Sequence, residues 1–352
     1  MPHFQTNGSS GRAPIRAFFP DSLPPMRRAE KQRSEILACL DDDPNCHVVA
    51  RHALALAAIF GLPVTFAHVS ESKRNAELPA DPLDWRLHLN ECGERLDRII
   101  TEVRGPEMDI GRLLLTGSPA QQLNGWAQDH AGALLALATR SYETEGSTGL
   151  GSTVQKILDR ALASLLLIPG EADGAETVAY RRLVLPLDGS PQAESVLPVA
   201  VSIARAQGAE LILTHVVAKA ETIDHGLPHA GSGELCSRLK DHNEARARSY
   251  LERLRTRLLN EGLAVRAVVE SDGDPRNRLR RLAIQHDADL LVVSSHGHSN
   301  LSDVACGSVT EYLAKHAPCP VLIIRPNFHI NAAERILEGP SLVSSGRSQL
   351  AQ

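Results

Sequence analysis

The sequence predicts an α/β fold in which two doubly wound, five-stranded parallel sheets follow one another along the chain. Two observations carry this. First, short apolar runs alternate with helix-period segments from residue 36 to residue 324, the pattern of βαβ units. Second, the pattern is written twice. Residues 36–69 align without a gap onto 183–216, so Asp41 falls on Asp188, Pro44 on Pro191, Gly61 on Gly208 and His68 on His215. Residues 117–168 align without a gap onto 273–324, matching Gly117 to Gly273, Pro119 to Pro275, His130 to His286 and Gly151-Ser152 to Gly307-Ser308. Two gapless registers around a middle that differs by nine residues mark an internal duplication.

In order, residues 1–32 are rich in Pro, Gly and Arg and poor in periodic apolar positions, so they read as a flexible arm. A first domain follows over 33–170, with strands near Ile36, Val64, Leu113, Leu134 and Leu165 and helices between them. The acidic, Gly/Ala-rich segment 171–180 reads as a linker. The second domain, 181–326, begins with a buried strand at Leu183–Leu187. Pro191 starts a helix expected to reach Gln207, where Gly208 ends it. A strand at Leu211–Val217 leads through a polar loop (Ala220 to Gly233) into a long amphipathic helix from about Leu235 to Glu261. Strand Val265–Val269, helix Pro275–His286 and strand Leu290–Val293 come next, and Val321–Ile324 is the fifth strand. The tail, 327–352, holds one short helical pattern, Ala332 to Leu337.

Composition narrows the function classes. The 352 residues leave room for two ordinary domains, and 43% hydrophobic with 22% charged residues is globular. A net charge of -5, with no basic field, argues against nucleic acid. No apolar run is long enough for a bilayer and no signal peptide is expected, so no membrane partner and a cytoplasmic location are the expectation. The six cysteines show no C-x-x-C pair and read as reduced thiols.

Chemistry concentrates in 289–325, DLLVVSSHGHSNLSDVACGSVTEYLAKHAPCPVLIIR. An apolar strand runs into Ser294, Ser295, His296 and Gly297; nine residues after Gly297 comes Gly307-Ser308, opening a helix. A strand feeding a small-residue loop and then a helix N-terminus makes an anion site, because first-turn N–H groups and the helix dipole favour phosphate. Ser294, two residues, Gly297, nine residues, Gly307, Ser308 resembles the nucleotide-binding signature of the universal stress protein family, with serine in place of its first glycine.

The resemblance implies strand order 3-2-1-4-5 in each copy, fifth strands that pair the copies as an intrachain pseudo-dimer, and a ligand at the switch point between strands one and four. It implies an adenine nucleotide, ATP or else AMP or ADP, with Mg2+ only as the companion of ATP. By the same resemblance Asp188 lies beside the nucleoside, Val216 addresses adenine, Val293 and Ser294 flank it, and Gly297, Gly307, Ser308, Val309 and Thr310 hold the phosphates. Structural readings stand beside these. Asp188 is also placed to cap the helix at Pro191, and Ser308 with Glu311 makes a capping box. Ser294 either crowds the ligand or adds a hydrogen bond.

The first copy reads Ala138, Thr139, Arg140, Ser141, nine residues, Gly151, Ser152, and has Asp42 and Asp43 where the second has Gly189 and Ser190. It is expected to be structural or to bind something else. His286, His296 and His298, like His225 and His229, read as loop histidines rather than metal ligands, and His68 and His215 as buried, hydrogen-bonded ones. No catalytic residue set is expected. The resemblance implies nucleotide sensing in a cytoplasmic stress response, through self-association or other protein partners. A slow ATPase or phosphotransferase in the same crevice, and a nucleotide-independent scaffold, are the alternatives.

Overall fold

The computed structural model describes residues 34–41, 46–71, 82–103, 109–130, 132–139, 150–160, 162–170, 177–218, 232–297 and 306–330. All belong to one compact unit, Arg33–Gln352. The expected arm (1–32), most of the linker (171–176), Asp42 and Asp43, Arg140 and Ser141, His225, His229, His298 and the helical pattern Ala332–Leu337 lie outside the described residues.

The first repeat runs β1 (Ile36–Cys39), α1 (Cys46–Phe60), β2 (Val64–Ser70), α2 (Pro82–Val103), β3 (Ile110–Thr116), α3 (Pro119–Asp129), β4 (Leu134–Thr139), α4 (Ser152–Leu158) and β5 (Ser164–Pro169). The second runs β6 (Arg182–Pro186), α5 (Pro191–Glu194), α6 (Leu197–Gln207), β7 (Glu210–Ala218), α7 (Ser232–Asn260), β8 (Ala264–Gly273), α8 (Pro275–Gln285), β9 (Leu290–Ser294), α9 (Ser308–His316) and β10 (Val321–Ile324).

Each half is parallel, in the order 3-2-1-4-5, but the halves are not separate sheets. They form one ten-stranded sheet, β3-β2-β1-β4-β5-β10-β9-β6-β7-β8. The seam is the antiparallel pair of β5 and β10, with Val321, Leu322 and Ile323 opposite Leu167, Leu166 and Leu165. All six side chains are buried. An apolar strand left at an edge would expose both its side chains and its ladder groups, and pairing the two fifth strands covers both. Two apolar layers, one on each face of the sheet, draw residues from both repeats. Ser164 Oγ accepts the Arg325 N–H at 3.0 Å, and Phe328 packs edge-on against Phe60, so the chain after β10 is tied back to the first repeat.

One expected helix is two. The chain from Pro191 to Gln207 breaks at Ser195-Val196. Pro198 has no N–H to bond the Glu194 carbonyl, and its ring crowds that turn. The matching position in the first repeat is Arg51, and α1 runs unbroken over Cys46–Phe60. At its other end α6 stops where expected, with Gly208 left-handed at φ 65°.

Candidate functional site

Between β6 and β9 the ladder pairs Leu183 with Leu290 and Val184 with Leu291. Beyond it each strand follows its other neighbour. The Leu187 N–H reaches the Thr214 carbonyl at 2.8 Å, and the Ser295 N–H reaches the Ile324 carbonyl at 3.0 Å. The strands therefore part at their carboxyl ends, where doubly wound sheets receive ligands. A half-open cavity of about 280 Å³ occupies the gap.

The residues expected there from sequence come together on its wall. Asp188 comes from the β6–α5 turn, Val216 from β7, and Val293, Ser294 and Gly297 from the end of β9. Gly307, Ser308, Val309 and Thr310 come from the start of α9. Leu187, Leu279 and Thr214 complete the inner wall, and His296, read from sequence as a loop histidine, also lines the cavity. Sequence spacing carried no signal for Leu279, which arrives on α8 from outside the motif.

The aspartate is braced rather than capping. Asp188 Oδ1 accepts the Ser190 N–H at 2.9 Å and the Ser190 hydroxyl at 2.6 Å. Gly189 between them has φ 82°, a left-handed turn that favours glycine. Ser190 itself is the N-cap of α5, its Oγ accepting the Ala193 N–H at 3.1 Å. The cap expected of Asp188 thus belongs to Ser190. A serine directly before a helix-opening proline was the legible signal for it.

The capping box expected at Ser308 is also absent. Gly307 is the N-cap of α9, with no side-chain cap, and Ser308 is the first helical residue. Glu311 turns instead to Lys315, at 2.6 Å. Gly307 is anchored through its N–H to the Ser295 carbonyl at 2.8 Å, and its own carbonyl accepts the Glu311 N–H at 2.9 Å. The first-turn N–H groups of α9 therefore open towards the cavity behind a residue that has no side chain.

The two glycines differ in why they are glycines. A β-carbon at Gly297 would stand 2.5 Å from Asp188 Oδ2, so a side chain there would displace the aspartate. At Gly307 a β-carbon would meet only ordinary contacts, 3.5 Å to the Ser295 carbonyl oxygen and 3.8 Å to His296 Cα. Its φ of -69° is open to any residue. Packing against the described residues does not demand glycine at 307, whereas close approach of a ligand to the backbone would.

The hydroxyls are committed locally. Ser294 Oγ donates to the His296 carbonyl at 2.5 Å, closing the loop on itself. Thr310 Oγ1 donates to the Ser294 carbonyl at 2.9 Å, a buried strut from α9 to the end of β9. Thr310 thus shapes the loop instead of offering its proton to a phosphate. Behind the site His215 Nδ1 meets the Leu187 carbonyl at 2.7 Å, and in the first repeat His68 Nδ1 meets the Leu40 carbonyl at 2.8 Å. A carbonyl can only accept, so both rings carry a proton on Nδ1.

The first repeat lacks this construction. Ala138 replaces Ser294, and buried Val154 replaces Thr310, so the strut has neither its acceptor's hydroxyl neighbour nor its donor. Gly151 still precedes the α4 helix, a helix of 7 residues. Burial pushes the Cys306 thiol, next to Gly307, up to about 12, and Cys319 likewise to about 12, which leaves both as protonated packing groups. Among the described residues no group of three His, Cys, Asp or Glu side chains is arranged to hold a metal, and no helix is long and apolar enough to cross a membrane.

Comparison with known proteins agrees with this architecture. The family model described as Universal stress protein family matches residues 33–169 and again 179–325. A universal stress protein of Methanocaldococcus jannaschii is 31% identical over 147 residues, covering 42% of this chain and 82% of that protein. One of Mycolicibacterium smegmatis is 25% identical over 320 residues, 83% of this chain and 97% of that protein. The crystal structure of a universal stress protein from Archaeoglobus fulgidus superposes with a TM-score of 0.57 at 16% identity, covering 84% of this chain and 99% of that one.

Proposed function

The chain belongs to the universal stress protein family, and on that premise we propose that its second repeat binds ATP, or another adenine nucleotide, between Asp188 and the start of α9. The observation that carries the reading is the glycine N-cap at 307, which leaves the first-turn N–H groups facing a cavity and which no contact with the described residues requires.

In this reading the apolar wall of Leu187, Val216, Leu279 and Val293 receives the base, and Asp188, held in place by Ser190, accepts hydrogen bonds from ribose hydroxyls. Backbone N–H groups of Ser308, Val309 and Thr310, with the Ser308 hydroxyl, hold the phosphates beside Gly297 and Gly307. Mg2+ enters only as the companion of a triphosphate, since among the described residues the wall offers it a single carboxylate, already engaged by Ser190. Binding rather than turnover is the proposed chemistry, with occupancy reported to protein partners in a cytoplasmic stress response.

The test is mass spectrometry of small molecules released from gently purified chain, followed by calorimetric titration with ATP. Co-purifying adenine nucleotide, or saturable binding, supports the reading. Neither would leave the scaffold alternative, and stoichiometric loss of ATP during incubation would favour the enzyme.

A further inference from the structure

One helix backs the turn that carries Asp188. α7 is 29 residues long and packs on β7 and β8, burying Ala247, Leu251, Leu254 and Leu258. Its Tyr250 meets the ring of His215 edge-on, with 6.5 Å between centroids, and His215 in turn holds the Leu187 carbonyl next to Asp188.

The outer face of this helix carries a line of arginines. At 3.6 residues per turn Arg246, Arg253 and Arg257 fall within about 40° of one another, and they stand about 10.5 Å and 6 Å apart along the axis. All three are exposed, and among the described residues none makes an ion pair or a side-chain hydrogen bond. Glu244 and Glu252 lie off this line and are already taken. Glu244 meets Lys240 at 3.9 Å and Arg248 at 3.2 Å, and Glu252 meets Arg255. The fold does not require this charge. α7 holds seven arginines and lysines against four carboxylates, whereas α2, in the same place in the first repeat, holds three arginines against five carboxylates.

The shape of the line limits what it fits. A bilayer or a nucleic-acid duplex is a broad polyanion, and would press its phosphates against Glu244, Glu252 and a chain of net charge -5. A line one side chain wide is matched by another line, a helix with Asp or Glu at the same spacings of seven and four residues. Each carboxylate then faces one guanidinium. Single exposed pairs are weak, so binding needs all three together.

We propose that the line of Arg246, Arg253 and Arg257 is a docking surface for an acidic helix of a partner protein. It requires no nucleotide at Asp188, so the two readings fail separately.

The test uses the full chain without nucleotide and two labelled, Ala-rich helical peptides of one composition. The first has three glutamates spaced by seven and four residues; the second has them spread around the helix. Fluorescence anisotropy should show the first binding at least about five-fold more tightly, and weakening as salt is raised. The triple variant Arg246→Gln, Arg253→Gln, Arg257→Gln should lose about ten-fold or more in affinity for the first peptide. The triple Arg86→Gln, Arg95→Gln, Arg98→Gln on α2 changes net charge equally and should leave that affinity unchanged. No binding of the first peptide, equal binding of both, or equal effects of the two triples would each overturn the proposal. So would tighter binding to phosphatidylserine vesicles or duplex DNA than to the first peptide. Circular dichroism confirms that each variant is folded, and the peptide and salt comparisons need only the wild-type chain.

Discussion

Asp188 and Gly297 are in direct opposition: a β-carbon on Gly297 would lie 2.5 Å from Asp188 Oδ2. The other carboxylate oxygen is held by Ser190 through its N–H and its hydroxyl, so moving the aspartate aside would break both bonds. The loop after β9 and the turn after β6 thus set each other's position, and the carboxylate stands at the cavity because residue 297 has no side chain. Gly297→Ala is expected to displace Asp188 and weaken ATP binding by about ten-fold, while Ser190→Ala weakens it less. Calorimetry on the two variants checks this, and equal, unchanged affinities would show that the brace is only structural.

Gly307→Asp separates ligand binding from folding. Aspartate is a favoured N-cap and finds no clash at 307, so thermal stability should hold or rise slightly. The added carboxylate would face the phosphates, and ATP affinity should fall about a hundred-fold or more. Retained affinity with an unchanged melting curve would place the nucleotide elsewhere.

The two repeats are expected to be unequal. The second has the braced Asp188 and the Thr310 strut, whereas Val154 fills the matching position of the first. One ATP per chain is the expected stoichiometry, with Asp188→Ala weakening binding and Asp41→Ala barely altering it. Thr310→Val, which copies the first repeat, should cost about 1 kcal/mol of stability and reduce affinity. Two equivalent sites in a titration would contradict the assignment.

Acid should loosen the junction of the repeats. Burial lowers the pKa of His52 from its ordinary 6.5 to about 4, beside the buried Tyr180 hydroxyl. The unfolded chain therefore takes up this proton first as pH falls. Stability associated with neutral His52 is complete above pH 6.5, declines between about 6.5 and 4, and levels off below. The total is at most ~3 kcal/mol. Chemical denaturation across that window should show the slope, and His52→Gln should flatten it. An identical slope in the variant would assign the acid sensitivity to other groups.

Isolated halves should not behave as monomers. Cutting the chain in the linker exposes Leu165–Ile168 on one product and Val321–Ile324 on the other, both apolar and fully buried in the seam. Each half is expected to dimerise or aggregate, and mixing them to restore a one-to-one complex. A monodisperse monomeric half by light scattering would contradict this.

The sequence by itself determined the duplication, the alternation of strands and helices, and the ends of most elements. These depend on local signals: period-2 and period-3.6 burial, Pro119 and Pro275 opening helices, Gly208 closing one. Through its resemblance to the universal stress protein signature it also implied which residues would meet at Asp188, because the strand order of that family puts the ends of strands one and four at a switch point. The family resemblance already implied that the fifth strands pair the two copies; tertiary structure decided that they do so as an antiparallel ladder, merging two sheets into one. It decided that Gly307 rather than Ser308 caps α9, whereas the Ser190 cap of α5 was legible in the serine that precedes Pro191. Tertiary structure also spent the Thr310 hydroxyl on a carbonyl sixteen residues away. Which acceptor a hydroxyl finds and which charges face one another depend on the packing of distant segments, and periodicity within a segment carries no record of them.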